Sequence, residues 1–189
     1  MSTEQQIIRT KDPAPCIILI GMPGAGKTTI GTALAKSLDW PYLDTDHLIE
    51  AAYGHRLQDV VDATTKESFC DLEATVIQSI RGHRLIIGTG GSVIYRSQAM
   101  EHLKSLGFIV YLEVPLKILE ARVAAFPDRG IAMDAQESLA DLYAERIPLY
   151  ERWSNLSCNN SAMSVEDCVQ WICEHLPKSY LSKKANIIN

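Results

Sequence analysis

The stretch Gly21-Met22-Pro23-Gly24-Ala25-Gly26-Lys27-Thr28 decides the fold of this chain. It follows the apolar run Cys16-Ile17-Ile18-Leu19-Ile20 and leads into a segment whose apolar residues recur at helical spacing. The spacing G-x-x-x-x-G-K-[ST] between a buried strand and a helix is typical of a phosphate-binding loop, where backbone N–H groups and the helix N-terminus attract phosphate. The alternative is a glycine-rich turn with no ligand, and the flanking strand and helix favour the phosphate site.

Each part of this loop has an expected role in nucleotide binding. The glycines let the backbone turn tightly and point successive N–H groups into one concavity. Lys27 is expected to reach the outer phosphates, and the Thr28 hydroxyl is the usual ligand of the accompanying Mg²⁺ ion. The predicted nucleotide-binding residues of this segment are Gly21, Gly24, Ala25, Gly26, Lys27, Thr28 and Thr29.

Composition limits the class of protein. A chain of 189 residues with 47% hydrophobic and 22% charged residues predicts one globular domain spanning 1–189. A net charge of −5 argues against a general nucleic-acid or anionic-membrane surface. Five cysteines without a C-x-x-C pair fit reduced thiols in a cytoplasmic protein. No apolar stripe is left over once the core helices are assigned, so we expect a monomer.

Strands and helices alternate along the chain. The apolar runs predict strands at 16–20, 42–46, 84–87, 108–112 and 156–158, with helices between them. This alternation, with a phosphate loop after the first strand, indicates a three-layer α/β fold with a five-stranded parallel sheet. We expect a loose arm over 1–14 and a loose tail over 177–189.

Polar and glycine-rich residues follow two of the predicted strands. Asp44 and Asp46 end the second strand, and Gly88-Thr89-Gly90-Gly91-Ser92 ends the third. Open α/β sheets bind ligands at the carboxyl ends of their strands, so both segments should face the phosphate loop. Two alternatives stay open. Asp44 or Asp46 could merely cap the following helix, where Thr45 or Asp46 would cap well, and the glycines could approach a neighbouring segment.

The segment 126–137 separates two helices and contains charge, proline and glycine. A loop of this length and composition is typical of a mobile lid. An ordinary surface loop is the alternative, and Arg122 and Arg129 favour the lid.

Taken in order, these motifs resemble those of shikimate kinases over residues 16–175. Only the phosphate loop is widespread, whereas the combination is specific to that family. The resemblance implies a nucleoside monophosphate kinase-like fold with strand order 2-3-1-4-5, a lid, acceptor-binding helices over 45–82 and ATP as phosphoryl donor. The motifs that carry it are the loop 21–28, Leu43-Asp44-Thr45-Asp46, Phe69 with Glu73, Thr89-Gly90-Gly91, Arg129 and Arg146-Ile147-Pro148-Leu149-Tyr150.

On the nucleotide side, the resemblance assigns the phosphates and Mg²⁺ to Lys27 and Thr28, with Asp44 helping to organise the metal. It places Arg122 near the adenine. Arg129 is expected to enter from the lid and neutralise the transferring phosphoryl group. Phosphoryl transfer depends mainly on positioning and charge stabilisation, so cations around the γ-phosphate suit the reaction.

On the acceptor side, the resemblance assigns Asp46 to the acceptor's hydroxyls, as a catalytic carboxylate, and Arg146 to its carboxylate. Gly90 and Gly91 would lie beside the acceptor. Lys27, Asp46 and Arg129 are therefore the predicted catalytic residues.

Three positions depart from the family pattern, and all lie on the acceptor side. Cys70 stands where the family has arginine, Ser92 replaces the third glycine, and the lid reads Arg129-Gly130-Ile131-Ala132 rather than Arg-Pro-Leu-Leu. A charge-assisted contact is worth about 1.5 to 3 kcal/mol, so the loss of one cation should weaken acceptor binding. Alternatively Cys70 is a simple buried residue, and a neighbouring cation replaces the lost one: Arg56, Arg81 or Arg96.

The sequence therefore predicts an ATP- and Mg²⁺-dependent kinase for a small-molecule acceptor, with shikimate the best single acceptor. One alternative is a related kinase acting on another polyol or hydroxy acid. The other is a non-catalytic nucleotide-binding protein, which would have little need for Asp46.

Overall fold

The computed structural model describes residues 15–125, 131–134 and 136–181. Its five parallel strands lie in the order β2-β3-β1-β4-β5, with helices on both sides of the sheet. The strands are β1 (Cys16–Ile20), β2 (Tyr42–Asp44), β3 (Ile86–Gly88), β4 (Gly107–Glu113) and β5 (Leu156–Asn159). The helices are α1 (Lys27–Leu38), α2 (Thr45–Tyr53), α3 (Leu57–Asp62), α4 (Lys66–Ser79), α5 (Ser97–Leu106), α6 (Leu116–Ala124), α7 (Leu139–Trp153), α8 (Val165–His175) and α9 (Lys178–Leu181), with a 3₁₀ turn at Val93–Tyr95.

Strand β1 lies at the centre of the sheet. All five of its residues are fully buried, which accounts for its unbroken apolar sequence. It pairs with β3 through Ile17 and Ile86 and with β4 through Cys16 and Gly107. A Cβ at Gly107 would collide with the Cys16 carbonyl oxygen, so this pairing requires glycine there.

A second, smaller hydrophobic cluster is separate from the core around the sheet. It joins α2, α3, α4 and the segment 131–134. Its buried members are Ile49, Val60, Phe69, Val76 and Ala132. This packing fixes the helices over 45–82 relative to the described part of the predicted lid.

Strand β2 is shorter than its sequence suggested. It ends at Asp44 because Asp44 itself caps α2, its Oδ1 accepting a hydrogen bond from the Asp46 N–H at 3.1 Å. The prediction that one of the two aspartates caps this helix is therefore confirmed for Asp44, whereas Thr45 and Asp46, which we considered good caps, are not the N-cap. Strand β3 begins two residues late because Arg84 has φ 53°, a left-handed conformation that a strand does not tolerate.

Residues 178–181 form α9, within the segment where we expected a loose tail. The Tyr180 ring packs edge-on against Phe108 at 5.7 Å between centroids, which ties α9 to β4. The arm 1–14 and residues 182–189 lie outside the described residues. In the described ranges, no helix has the length and apolar character needed to cross a bilayer.

Candidate active site

The loop between β1 and α1 adopts the conformation that its glycines permit. Gly21, Gly24 and Gly26 have φ values of 146°, 81° and 95°, which side-chain-bearing residues rarely adopt. A Cβ at Gly21 would also lie 2.8 Å from the Leu112 carbonyl oxygen of β4. The turn therefore delivers its backbone to the N-terminus of α1, where the helix dipole favours an anion.

Lys27 lies in this loop and is 5% exposed. Its ammonium donates hydrogen bonds to the carbonyl oxygens of Gly21 at 2.7 Å and Met22 at 2.9 Å. These contacts hold a full positive charge beside the first turn of α1. The loop thus combines a buried cation with helix N–H groups, which suits a polyphosphate.

Asp44 is held at the carboxyl end of β2 by hydroxyl donors. The Thr28 Oγ1 and the Tyr42 hydroxyl each donate to Asp44 Oδ2 at 3.1 Å. Burial raises the pKa of Tyr42, and the charge of Asp44 raises it further, so this phenol stays protonated as a donor. A hydroxyl and a carboxylate this close are hard oxygen ligands of the kind Mg²⁺ takes when nucleotide phosphates and water complete its shell. Within the described ranges, no three His, Cys, Asp or Glu side chains form a metal cluster.

A cavity of about 260 Å³ lies beside the phosphate loop. Arg122 borders it and donates through Nη1 to the Gly24 carbonyl oxygen at 3.0 Å, so the structure brings together this predicted nucleotide residue and the loop. Asn160, which sequence reasoning missed, donates through Nδ2 to the Ala25 carbonyl oxygen at 2.9 Å. The only signal for Asn160 was its place just after a strand. The lining residues are Gly24, Gly26, Thr29, Ile30, Arg122, Asn160, Met163, Ser164, Val165 and Cys168.

A second, much smaller cavity lies on the acceptor side. It has a volume of about 20 Å³, enough for about one water molecule. It brings together Lys27, Asp46, Gly90, Gly91 and Arg146, predicted from distant parts of the sequence. The other lining residues are Pro23, Leu57, Phe69, Thr89, Ser92, Ile131 and Ala132.

Arg146 is 1% exposed and is fixed in place from α7. Its Nε donates to the Tyr95 hydroxyl at 2.9 Å, and its guanidinium lies 5.2 Å from the centre of the same ring. Its Nη2 donates to the Ala132 carbonyl oxygen at 2.7 Å. Gly91 leaves room for the third nitrogen, because a Cβ there would lie 2.9 Å from Nη1. The guanidinium therefore borders the small cavity and is held there by Tyr95 and by the Ala132 carbonyl oxygen.

Glu73 is a buried acid at the same place, with 1% of its surface exposed. The Ser92 hydroxyl donates to Glu73 Oε2 at 2.7 Å, whereas Oε1 has no hydrogen-bond partner. A Cβ at Gly90 would collide with Oε1 and would lie 3.1 Å from Asp46 Oδ1, so the two carboxyl groups face each other across this glycine. Burial raises the pKa of Glu73 to about 7, against the opposing effect of the Ser92 hydrogen bond.

Cys70 is 3% exposed and is not among the described residues that line the small cavity. Its neighbour Phe69 lines the cavity instead. Burial, and then the charge of Glu73, raise the pKa of Cys70 to about 11, so its thiol is neutral. Cys70 thus supplies no charge to the acceptor side.

The three arginines considered as replacements for the lost cation are engaged elsewhere. Arg96 Nε lies 2.6 Å from Asp71 Oδ1, and Arg81 donates to the carbonyl oxygens of Gln78 and Ile80. Arg56 lies 4.0 Å from Asp59 at the surface.

A different cation, Lys66, also lies near the Tyr95 ring. Lys66 Nζ lies 2.9 Å from Glu137 Oε1 and 5.2 Å from the centre of the Tyr95 ring.

Arg129 and Gly130 lie outside the described residues. Of the predicted lid, the structure describes only residues 131–134, 136 and 137.

The strand order of the parallel sheet and the phosphate loop after its central strand are typical of a P-loop kinase. The buried Arg146, which lines the same cavity as Asp46, is consistent with that class. The comparisons with known proteins name the family. A model of the shikimate kinase family matches residues 23–177. Curated shikimate kinases from Nostoc sp. and Burkholderia thailandensis are 32% and 31% identical, covering 85% and 89% of this chain and 90% and 94% of theirs.

Solved structures agree. The shikimate kinase from Acinetobacter baumannii in complex with shikimate is 30% identical, with a TM-score of 0.77 over 85% of this chain and 92% of that one. The chain therefore belongs to the shikimate kinase family, a family of kinases that phosphorylate a hydroxyl group. The predicted fold, strand order and enzyme class are confirmed.

Proposed function

We propose that this protein transfers the γ-phosphoryl group of ATP to a hydroxyl of shikimate, giving shikimate 3-phosphate and ADP. One observation carries the proposal: Lys27, Asp46 and Arg146 line a single cavity, although they come from α1, α2 and α7. A phosphate-binding cation, a hydroxyl-binding carboxylate and a carboxylate-binding cation are the three groups that this transfer needs.

On the nucleotide side, the loop N–H groups and Lys27 hold the phosphates. Thr28 and Asp44 would hold Mg²⁺, which when bound supplies charge that offsets the phosphates. The contact of Arg122 with Gly24 supports its place at the base of the nucleotide. We assign Arg129 to the transferring phosphoryl group on its sequence alone.

On the acceptor side, Asp46 accepts the proton of the attacking hydroxyl as the new P–O bond forms and the bond to ADP breaks. Arg146 pairs with the acceptor's carboxylate. A cavity for about one water molecule does not hold a six-membered ring, so the segment around Ala132 must move outward. The acceptor's carboxylate then takes over the hydrogen bond that Arg146 Nη2 now gives to the Ala132 carbonyl oxygen.

Three finer predictions belong to the same proposal: Mg²⁺ as the metal, a monomer as the active species and the cytoplasm as its location. All five cysteines are free thiols, four of them buried, which is compatible with a reducing compartment.

The test is steady-state ADP release with Mg-ATP and a panel of acceptors: shikimate, quinate, other hydroxy acids and sugars. We expect saturable turnover on shikimate. Arg146→Lys should raise the shikimate KM at least tenfold with the ATP KM unchanged, because lysine lacks the planar fork that binds carboxylate. Arg152→Lys, an exposed position on the same helix, is the matched control.

Two outcomes would contradict the proposal. Turnover confined to another acceptor would show that the changes at Cys70 and Ser92 redefine the pocket. Nucleotide binding without turnover on any acceptor would establish the non-catalytic alternative.

A second variant tests the phosphate loop itself. Lys27→Ala should abolish turnover with every acceptor.

A further inference from the structure

Glu73 is a buried acid to which the proposed transfer assigns no task. One carboxyl oxygen accepts from Ser92 and the other has no partner, although both lie out of solvent. An ionised carboxylate in this position loses its hydration without gaining an ion pair, which is costly. A carboxyl group in such a place tends to keep its proton, and a protonated Oε1 can donate a hydrogen bond.

The charged groups around Glu73 have opposing effects on its protonation. Asp46 on α2 favours the protonated form, whereas Arg146 on α7 and Lys27 on α1 favour the ionised form. Cys70, one turn earlier on α4, is a neutral thiol. The Tyr150 phenol on α7 also stays neutral, because burial raises its pKa. With burial the largest influence, the pKa of Glu73 is about 7, so modest changes of pH change its charge.

Both side-chain departures from the family pattern meet at this residue. Ser92 supplies the hydroxyl that Glu73 accepts, and Cys70 leaves the adjacent turn of α4 without a cation. An arginine at position 70 would stabilise the ionised form of Glu73 at every working pH. Without it, Arg146 is the cation that Glu73 and the acceptor's carboxylate would share.

We propose that Glu73 is a positioning residue that sets acceptor affinity through its protonation state. Protonated, it leaves the charge of Arg146 to the acceptor's carboxylate and can donate from Oε1 toward Asp46. Ionised, it competes for Arg146 and repels the incoming carboxylate. The inference rests on the proposed function, since it requires an acceptor that carries a carboxylate.

The test compares wild type with Glu73→Gln, which has the shape of the protonated acid and cannot ionise. The shikimate KM is measured from pH 6 to 8.5 at saturating Mg-ATP. For wild type we expect the KM to rise at least tenfold through pH 7, which is the effect of one added charge about 12 Å away at an effective dielectric constant near 20. Glu73→Gln should keep the low-pH KM throughout, with an unchanged ATP KM.

Glu67→Gln is the matched control, because Glu67 is exposed on the same helix. It should follow wild type. The protonation of ATP and of the acceptor also changes with pH, but it affects all three proteins equally. Only a difference in the pH dependence of the shikimate KM between Glu73→Gln and the other two proteins is therefore attributed to Glu73. A merely structural role for Glu73 would lower stability or kcat at every pH and would not remove a pH dependence of KM.

The outcomes separate this inference from the proposed function. Turnover on shikimate with parallel KM profiles in wild type and Glu73→Gln overturns the inference and leaves the function standing. If another carboxylic acceptor of the panel is the one turned over, the same comparison is made with it. No turnover on any acceptor overturns both.

Carbon-13 NMR of the glutamate carboxyl groups provides a second readout. The resonance that is absent from the spectrum of Glu73→Gln should titrate near pH 7, and titration near pH 4.5 overturns the inference.

Discussion

Replacing Glu73 by glutamine should stabilise the ligand-free protein at pH 8 and change its stability little at pH 5. In the unfolded chain this acid releases its proton near its ordinary pKa of 4.5, whereas in the folded protein burial raises the pKa to about 7. Between these values the folded state binds more protons than the unfolded state. The free energy of unfolding therefore falls as pH rises through this window and levels off above pH 7.

The size of the effect follows from the gap between the two pKa values. At about 1.36 kcal/mol for each pKa unit, the interval from 4.5 to about 7 corresponds to about 3 kcal/mol. The side chain is fully buried, so solvent screening reduces this value little. For a chain of this length, about 3 kcal/mol shifts Tm by roughly 6 to 12 °C. Glutamine keeps an oxygen for the Ser92 hydroxyl and carries no titrating group. The free energy of unfolding of Glu73→Gln should therefore not fall through this pH window.

Urea unfolding of wild type, Glu73→Gln and Glu67→Gln at pH 5 and pH 8 measures the effect directly. The difference between Glu73→Gln and wild type should grow by about 2.5 kcal/mol between the two pH values, because the unfolded chain has already released most of this proton at pH 5. Glu67→Gln should show no such growth. The same difference at both pH values would refute the reasoning, because it would mean that Glu73 titrates alike in the folded and unfolded states.

Three further substitutions test the site. Asp46→Asn should abolish turnover while calorimetry still detects ATP binding; full turnover would remove Asp46 from the reaction. Gly91→Ala places a Cβ 2.9 Å from Arg146 Nη1. The shikimate KM should therefore rise about tenfold or more, with the ATP KM unchanged. An unaltered shikimate KM would show that Arg146 does not bind the acceptor. Ser92→Ala should lower the free energy of unfolding by about 1 to 3 kcal/mol, because it leaves Glu73 without its hydroxyl donor; equal urea midpoints would contradict this.

The nucleotide half of the site could be predicted from the sequence because its geometry is local. The glycines, Lys27 and Thr28 lie within one turn and the start of one helix, and their spacing fixes their relative positions. The carboxylates at the end of β2 were also predictable, since parallel strands place their carboxyl ends at one edge. The sequence did not decide which residue caps α2, because several neighbouring residues can cap a helix equally well.

The acceptor half depends on contacts between remote segments, which spacing does not reveal. Ser92 reaches Glu73 from another element, and Ala132 reaches Arg146 from the segment before α7. A signal for the first did exist: Glu73 lies four residues after Phe69, on the buried face of α4. Adjacency in sequence was misleading for Cys70, because consecutive helical residues point about 100° apart and only Phe69 lines the cavity.

The strand order has a consequence for synthesis of the chain. Strands β1 and β2 are the first to be made, yet they do not pair with each other, because β3 lies between them. Residues Ile86–Gly88 must therefore leave the ribosome before any sheet can form, and the Leu112 carbonyl that lies against Gly21 is made later still. Until then the fully apolar β1 has no strand partner, so a nascent chain shorter than this has no sheet in which to bury that segment.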